Sequence, residues 1–172
     1  MRKPSVYAGL RGLPDWENGK IVVRQKKKGK TRKGERVKNK SAGTAFEQEF
    51  AKRLAGYGFW VHRMQDNQNG QPFDLIAAKN KNTLVMDCKA CQYEDFSLYR
   101  IEENQLNAMK LWQECGNIEG VFIIKTPKEI RVLKCSVAEC LIESGHRRLK
   151  GKKIFENTVS VGEWLNEYTD QQ

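Results

Sequence analysis

The sequence has no long apolar run and very little histidine. None of its hydrophobic stretches approaches the roughly 18 residues that a helix needs to cross a bilayer, and residues 1–10 lack the apolar block of a signal peptide. Of the 172 residues only two are histidine, and neither His62 nor His146 has a second histidine or a cysteine at the spacing of metal ligands. We therefore expect a cytoplasmic protein with no membrane-spanning segment.

Cysteine occurs in an odd number, which disfavours a framework of disulfides. The five residues are Cys88, Cys91, Cys115, Cys135 and Cys140. Cys88 and Cys91 form a lone C-x-x-C motif, and Cys135 with Cys140 makes a poor second half for a zinc site. We expect free thiols, buried or half-buried, as in a reducing compartment.

Positive charge is concentrated in one segment of the chain. The net charge of the whole chain is +10, and residues 24–40 hold ten basic residues against one acid. The part that follows residue 40 is close to neutral, at −1. Because the basic segment contains almost no apolar residue, it cannot bury enough surface to fold alone. With 39% hydrophobic residues in the chain, we expect a flexible basic arm over residues 1–40 and one globular domain over residues 41–172.

The expected partner of this arm is a polyanion. Acidic lipid and the absence of any partner are the alternatives, but no amphipathic face or acylation motif accompanies the segment. Charge of this density therefore favours nucleic acid, contacted through its phosphates. The residues expected to make these contacts are Arg24, Lys26, Lys27, Lys28, Lys30, Arg32, Lys33, Arg36, Lys38 and Lys40.

The periodicity of apolar residues predicts a mixed α/β layer fold. Phe46, Phe50 and Leu54 recur at a spacing of four and predict a helix that ends at the glycines beyond residue 55. The predicted helices cover residues 44–55 and 101–115, with two short ones beginning at the capping-box residues Ser136 and Ser160.

Short runs rich in β-branched and aromatic residues predict the strands. They cover residues 59–64, 73–78, 83–90, 121–124 and 130–133, and the second and third form a hairpin around the turn at 79–82. Trp60, Trp112 and Trp164 fall on apolar faces of the predicted elements, so we expect them in the core.

A D-x-K pattern lies on the second strand of the predicted hairpin. Because side chains alternate along a strand, Asp87 and Lys89 share one face, while Met86 and Cys88 share the other and point to the core. Asp74 begins the neighbouring strand, where its carboxylate reaches the same cleft. Two carboxylates, completed by phosphate and water, suit a hard divalent cation such as Mg²⁺. A surface ion pair across two strands is the alternative interpretation of the same pattern.

The chemistry that this pattern favours is metal-assisted hydrolysis of a phosphodiester. A metal held by Asp74 and Asp87 would polarise the phosphoryl oxygen and help to deprotonate a water, and Glu47 could contribute to a second metal. Lys89 would orient that water or stabilise the extra negative charge of the transition state.

Several segments, in this order, resemble known nucleases that act on four-way DNA junctions. Residues 43–47, Leu54, 58–61, 72–77 and 86–89 resemble the nuclease core of the archaeal Hjc-type Holliday junction resolvases. Beyond the core, residues 95–98, 101–105, 122–125 and 147–153 are more similar to the bacterial RecU-type resolvases.

The resemblance implies a restriction-endonuclease-like PD-(D/E)xK core, in which a mixed β-sheet is flanked by helices. It also implies a homodimer, dependence on Mg²⁺ with Mn²⁺ as a substitute, and resolution of Holliday junctions by paired nicks. Glu47, Asp74, Asp87 and Lys89 take the acidic and lysine positions of these families, and Gln105 takes the polar position on the following helix. The basic stretch implies further DNA-binding residues, which are Arg147, Arg148, Lys150, Lys152 and Lys153.

Two departures leave the choice between the two subfamilies open. The third acidic position is Asp87 where the RecU pattern has glutamate, and Pro72-Phe73-Asp74 replaces its T-D-Y. Two other functions also remain open from the sequence. One is a nuclease of the same fold with another target, such as a restriction or repair enzyme, and the other is a non-catalytic DNA-binding protein. Fold analogy alone does not separate them.

Overall fold

The computed structural model describes residues 16–17, 20–21, 33–65 and 71–169, with side chains described from residue 42 onward. Residues 24–32 of the predicted arm lie outside the described residues, as do residues 66–70 of the loop before the hairpin. Among the described residues, no helix combines the length and apolar character that crossing a bilayer requires.

A six-stranded mixed sheet forms the centre of the described part, with the strand order β10-β8-β7-β5-β4-β3. Two short strand pairs, β1 with β2 and β6 with β9, lie apart from it. The strands are β1 (Trp16–Glu17), β2 (Lys20–Ile21), β3 (Trp60–Arg63), β4 (Leu75–Lys79), β5 (Asn82–Ala90), β6 (Asp95–Ser97), β7 (Val121–Lys125), β8 (Ile130–Lys134), β9 (Arg148–Lys150) and β10 (Val159–Ser160).

Helices cover both faces of the central sheet. They are α1 (Lys33–Gly56), α2 (Glu103–Glu114), α3 (Cys135–Glu143), α4 (Lys152–Glu156) and α5 (Val161–Thr169), and a 3₁₀ turn at Leu98–Arg100 precedes α2. This arrangement is the mixed sheet flanked by helices that the sequence predicts, so the expected fold class is confirmed.

The predicted hairpin is present as β4 and β5. Its two-residue turn has positive φ at Asn80 (51°) and Lys81 (64°), as a type I′ turn requires. This turn matches the twist of the strands and fixes the register, in which Leu75 lies opposite Met86. The register brings the start of β4 beside the end of β5, where the predicted acidic residues lie.

The pairing of β5 with β7 is parallel, whereas the other neighbours in the central sheet are antiparallel. A parallel pair needs a long crossover connection, because the chain must return to the same end of the sheet. Here the crossover contains β6, the 3₁₀ turn and α2. It therefore carries the N-terminus of α2 to the end of β5.

Two apolar cores lie on the two faces of the sheet. On one face, Phe46, Phe50 and Leu54 of α1 and Trp164 and Leu165 of α5 are buried against the strands. Burial of these large side chains supplies the main driving force that docks both helices.

The second core lies on the opposite face. It contains Met109 of α2, Leu141 of α3, Phe96 of β6, Leu149 of β9 and Ile154 of α4. The small β6–β9 sheet is thus attached to the body of the protein through buried apolar residues.

The start of α1 differs from the prediction. The helix begins at Lys33 rather than near Thr44, so residues 33–40, which were expected in the flexible arm, are helical. Strong helix formers such as lysine, arginine and glutamate make up much of this stretch, and continuity with the docked part of α1 extends the helix. Periodicity of apolar residues could not predict this extension, because residues 33–40 contain almost no apolar residue.

One of the two predicted capping boxes is confirmed. Ser160 and Glu163 exchange hydrogen bonds between side chain and backbone at the start of α5, over 2.9 and 3.2 Å. The other prediction is wrong, because α3 begins at Cys135 and the N–H of Ser136 donates to the Glu119 side chain. A distant carboxylate satisfies this helix N-terminus in place of a local cap.

The expectation for the tryptophans is correct in part. Trp164 is 1% exposed, whereas Trp60 is 63% exposed and stacks on His62. Trp60 lies on β3, which is an edge strand of the central sheet. Its side chain points to the face opposite α1, where the described residues leave most of it exposed.

We predict that Leu54→Ala lowers the free energy of unfolding by about 2–5 kcal/mol, because it leaves a cavity where α1 packs on the sheet. Leu54 is fully buried, whereas Ile142 on α3 is exposed, so Ile142→Ala serves as the matched control with a loss under about 1 kcal/mol. Urea unfolding of both variants measures the difference. Equal losses would contradict this account of how α1 is held.

Candidate active site

A cavity of about 860 Å³ opens at the end of the central sheet where β3, β4 and β5 meet α1 and α2. Its lining includes all five residues that the sequence identifies as candidates for catalysis. These are Glu47, Asp74, Asp87, Lys89 and Gln105. Residues separated by up to 58 positions in the chain are therefore brought to one place by the sheet register and the crossover.

Asp74 is fixed in the cavity through both its backbone and its side chain. Its N–H donates to the carbonyl of Met86 over 2.9 Å, and its carbonyl accepts from Met64 over 2.8 Å. One carboxylate oxygen accepts from the N–H of Cys88 over 2.6 Å, and the other accepts from the amide of Gln71 over 2.9 Å. The carboxylate is thus held against the backbone of β5, one residue from Asp87.

Asp87 is the most deeply buried charged group of the site, with no exposed surface. The pKa of its carboxyl group is raised from 3.8 to about 7, because the raising effects of burial, the largest cause, and of the charge of Asp74 exceed the lowering effect of the nearby ammonium of Lys89. Desolvation therefore has a larger effect on the pKa of Asp87 than the attraction to Lys89 has. Without a further positive charge, the carboxyl group is therefore poised to take up a proton near neutral pH.

Lys89 and Gln105 form a polar network around this carboxylate. The amide nitrogen of Gln105 donates to Asp87 Oδ1 over 2.5 Å, and its amide oxygen accepts from Lys89 Nζ over 3.0 Å. Lys89 Nζ also lies 2.5 Å from Asp87 Oδ2, forming an ion pair. Gln105 thus contacts the carboxylate of Asp87 and the ammonium of Lys89 at the same time, which fixes their relative positions.

The start of α2 positions Gln105. Ile101 is buried in the second core just before the helix. The N–H of Glu102 donates to the side-chain oxygen of Gln105 over 3.3 Å, and the N–H of Gln105 donates to the carbonyl of Glu102 over 3.0 Å. These contacts close the first turn of the helix. They also direct the Gln105 amide toward β5.

Glu47 reaches the cavity from the other face of the sheet. It lies on α1 next to the buried Phe46, and it forms an ion pair with Arg63 of β3 at 3.3 Å. Sequence reasoning missed Arg63. Alternation along β3 could have identified it, because Arg63 shares a face with Val61, which packs against the core below α1.

The oxygen-rich lining fits a hard divalent cation. Buried polar atoms without a hydrogen-bond partner are uncommon in folded proteins, and one buried oxygen of this cavity, Gln71 Oε1, has none among the described residues. Within the described residues, however, no three histidine, cysteine or acidic side chains are grouped to hold a metal. A metal at Asp74 and Asp87 would therefore need phosphate and water as its remaining ligands.

The C-x-x-C motif does not form a metal site. Cys88 packs into the core below α1 and α5, whereas Cys91 packs against the core on the opposite face of the sheet. The five cysteines are all free, as predicted. Burial raises the pKa of the Cys88 thiol well above its usual value, so this residue is an inert core side chain.

The basic stretch 147–153 is partly neutralised within the chain. Arg148 binds Asp95 through two hydrogen bonds of 2.9 and 2.7 Å, and Lys150 lies 3.9 Å from the same carboxylate. Lys152 pairs with Glu156 at 3.4 Å. Among the described residues, Arg147 and Lys153 have no ion-pair partner, so they are the best placed of the five for phosphate.

Comparisons with known proteins show the family and the fold of this chain. The family model for archaeal Holliday junction resolvases (Hjc) matches residues 38–164. The structure is also similar to that of Hjc, a Holliday junction resolvase from the archaeal hyperthermophile Archaeoglobus fulgidus. That likeness has a TM-score of 0.56 at 16% identity, and it covers 71% of this chain and 98% of the other. A comparison with curated proteins returns no significant match.

The family match spans both sets of resembling segments, so it settles in favour of Hjc the choice that the sequence left open. The structural likeness, at its low identity, bears on the fold alone. The match covers most of the chain and includes every residue of the candidate site. The chain therefore belongs to the archaeal Holliday junction resolvase family, and it is a junction-resolving nuclease of the PD-(D/E)xK type.

Proposed function

We propose that the cavity is the catalytic site at which this endonuclease cuts DNA, with Mg²⁺ as its metal and Mn²⁺ as a substitute. Membership of the family implies dependence on a divalent cation. The observation that carries the proposal is the convergence of Asp74, Asp87 and Lys89 in one cavity, with Gln105 bonded to the last two. Free thiols are compatible with the cytoplasm, where we place the activity.

Asp74 and Asp87 would hold the metal, and Glu47, which lines the same cavity, would assist a second one. When bound, the ion polarises the phosphoryl oxygen and lowers the pKa of the attacking water. In the hydrolysis, the oxygen of water forms a bond to phosphorus and loses a proton to solvent, while one P–O bond of the DNA backbone breaks and its leaving oxygen takes up a proton to become a hydroxyl group. The rigid hold on Asp74 keeps its oxygens in place during this exchange.

Lys89 supplies the positive charge that this reaction needs beside the phosphate. Its ammonium group is fixed by Asp87 and Gln105, so it requires little reorganisation when negative charge develops. Gln105 acts as a positioning residue, because its amide contacts both groups. A metal near Asp87 and a phosphate near Lys89 would give each partner of the ion pair an additional counter-charge.

A homodimer would supply the two sites that paired nicks require. Resolution of a four-way junction cuts two strands, and the described part of one chain offers one such cavity. Two copies related by a two-fold axis would present two equivalent cavities.

The basic residues 24–40, with Arg147 and Lys153, are proposed to bind the phosphates of the junction arms. Such contacts give affinity that depends on salt and little on base sequence. We propose that residues 1–40 act mainly in this binding and that residues 41–172 form the nuclease domain, with α1 joining the two.

We predict that Asp74→Asn and Asp87→Asn each lower the rate of junction cleavage at least about a hundredfold, because they remove the metal's charged ligands. Binding of the junction should be largely kept. Asp95→Asn is the matched control, since Asp95 lies on β6 outside the cavity lining and its loss should leave cleavage intact. Cleavage of a synthetic four-way junction, with Mg²⁺ or chelator, provides the measurement. Undiminished cleavage in chelator would rule out this mechanism.

The raised pKa of Asp87 predicts a pH-dependent stability of the metal-free protein. The folded protein keeps the proton up to about pH 7, while the unfolded chain releases it near 3.8. The stability contributed by this proton is therefore complete below pH 3.8 and is lost as the pH rises through 7. From about pH 5 to about pH 8 in chelator, the wild type should lose about 2–3 kcal/mol relative to Asp87→Asn.

Urea unfolding of the two proteins and of Asp95→Asn across this pH range measures the effect. The control should follow the wild type. Parallel curves for the wild type and Asp87→Asn would show that burial does not perturb this carboxyl group.

We further predict that the charge of residues 1–32 increases DNA affinity. This segment holds ten basic residues and two acids, and a deletion ending at residue 32 leaves the whole of α1 in place. Affinity of the intact protein should fall steeply with salt, and the truncated protein should show a slope shallower by ~0.9 for each phosphate that it no longer neutralises. A full-length variant with glutamine at the six basic positions from Arg24 to Arg32 separates charge from length. Equal slopes for all three proteins would exclude this role.

A further inference from the structure

One cation in the cavity lining has no carboxylate partner within the described residues. The lining contains three basic side chains, and two of them are ion-paired: Arg63 with Glu47 and Lys89 with Asp87. The third is Arg100, on the 3₁₀ turn that precedes α2. Its charge therefore remains available to an anion that enters the cavity.

The guanidinium of Arg100 is held at one end only. Its Nη1 donates to the carbonyl of Ala90 over 2.8 Å and lies 3.5 Å from the sulfur of Cys91. In the described part of the chain, Nη2 and Nε have no hydrogen-bond partner. Ala90 directly follows Lys89 on β5, so the anchor places the free edge of the guanidinium beside the catalytic strand.

The backbone of Arg100 is fixed on both sides. Leu98 and Ile101 are buried in the second core, and the N–H of Leu98 donates to the carbonyl of Arg147 over 3.0 Å. The side chain itself is exposed at the cavity. A planar guanidinium with two free donors on a fixed backbone can bind two oxygens of one phosphate at a small entropic cost.

We propose that Arg100 is a substrate-binding residue that binds a backbone phosphate of the cleaved strand and so positions the scissile phosphate at Asp74 and Asp87. This inference rests on the proposed assignment of the cavity as the catalytic site. This contact between Arg100 and a phosphate offsets the repulsion between DNA and the four acidic side chains of the lining, which are Glu47, Asp74, Asp87 and Glu102. Arg147 is connected to the same 3₁₀ turn, because its carbonyl accepts a hydrogen bond from the N–H of Leu98.

A set of matched variants tests this role. Arg100→Ala should lower kcat/KM for junction cleavage by about tenfold to a hundredfold, the usual effect of losing a charged hydrogen bond. Arg100→Lys should restore part of the loss, since it keeps the charge but not the fork. Lys79→Ala is the control, because Lys79 also donates to a backbone carbonyl, that of Tyr57, but lies outside the cavity. It should cleave at the wild-type rate.

Replacing single phosphates of the DNA by uncharged methylphosphonates distinguishes a contact between Arg100 and DNA from a merely structural role. A single methylphosphonate, moved stepwise along the cleaved strand outside the scissile position, should weaken wild-type cleavage at the phosphate that Arg100 binds and have no further effect there on Arg100→Ala. A purely structural role would leave the two effects additive at every position, which would overturn the inference. Cleavage by Asp87→Asn, measured in parallel, distinguishes failure of the proposed catalytic site from failure of the inference about Arg100. If Asp87→Asn still cleaves, both the proposed site and the role of Arg100 are wrong. If it is inactive while Arg100→Ala cleaves normally, this inference alone is overturned.

Discussion

The carboxylate of Asp87 is fully buried at the point where β5 meets α2. Taking such a charge out of water costs on the order of several kcal/mol unless partners replace its hydration. Lys89 and Gln105 replace part of it, yet burial still raises the pKa of Asp87 to about 7. The metal-free protein therefore holds a destabilised acid, and a divalent cation would remove this cost. Affinity for metal and the stability of the fold are in this way coupled at one residue.

The structural elements that surround Asp87 are placed by backbone pairing within the sheet and by apolar packing of α1 on it. The I′ turn fixes the register that brings Asp74 against β5, and the parallel pairing of β5 with β7 forces the crossover that brings Gln105 over the same strand. The docking of α1 through Phe50 and Leu54 brings Glu47 to the other side. The chemistry thus depends on long-range pairing rather than on any one local motif.

The residues of the site were largely predictable, because strand alternation places Asp87 and Lys89 together and the hairpin adds Asp74. The contacts among them were not. Full burial of Asp87, its bond to Gln105 and the pairing of Arg63 with Glu47 depend on how helices pack across the sheet. Arg100 gave no periodic signal, since it lies on an irregular 3₁₀ turn. The early start of α1 was missed for a similar reason, because a basic stretch contains too few apolar residues to show a helical periodicity.

The central claim is that Asp74 and Asp87 form the metal site at which DNA is cut. Their oxygens, unlike those of a surface ion pair, are held by backbone and amide donors, and both side chains are buried. Anomalous diffraction from crystals of the protein soaked in Mn²⁺ tests this claim most directly. We expect a peak within bonding distance of both carboxylates, and no such peak in crystals of Asp87→Asn. A metal bound elsewhere, with none between Asp74 and Asp87, would contradict it.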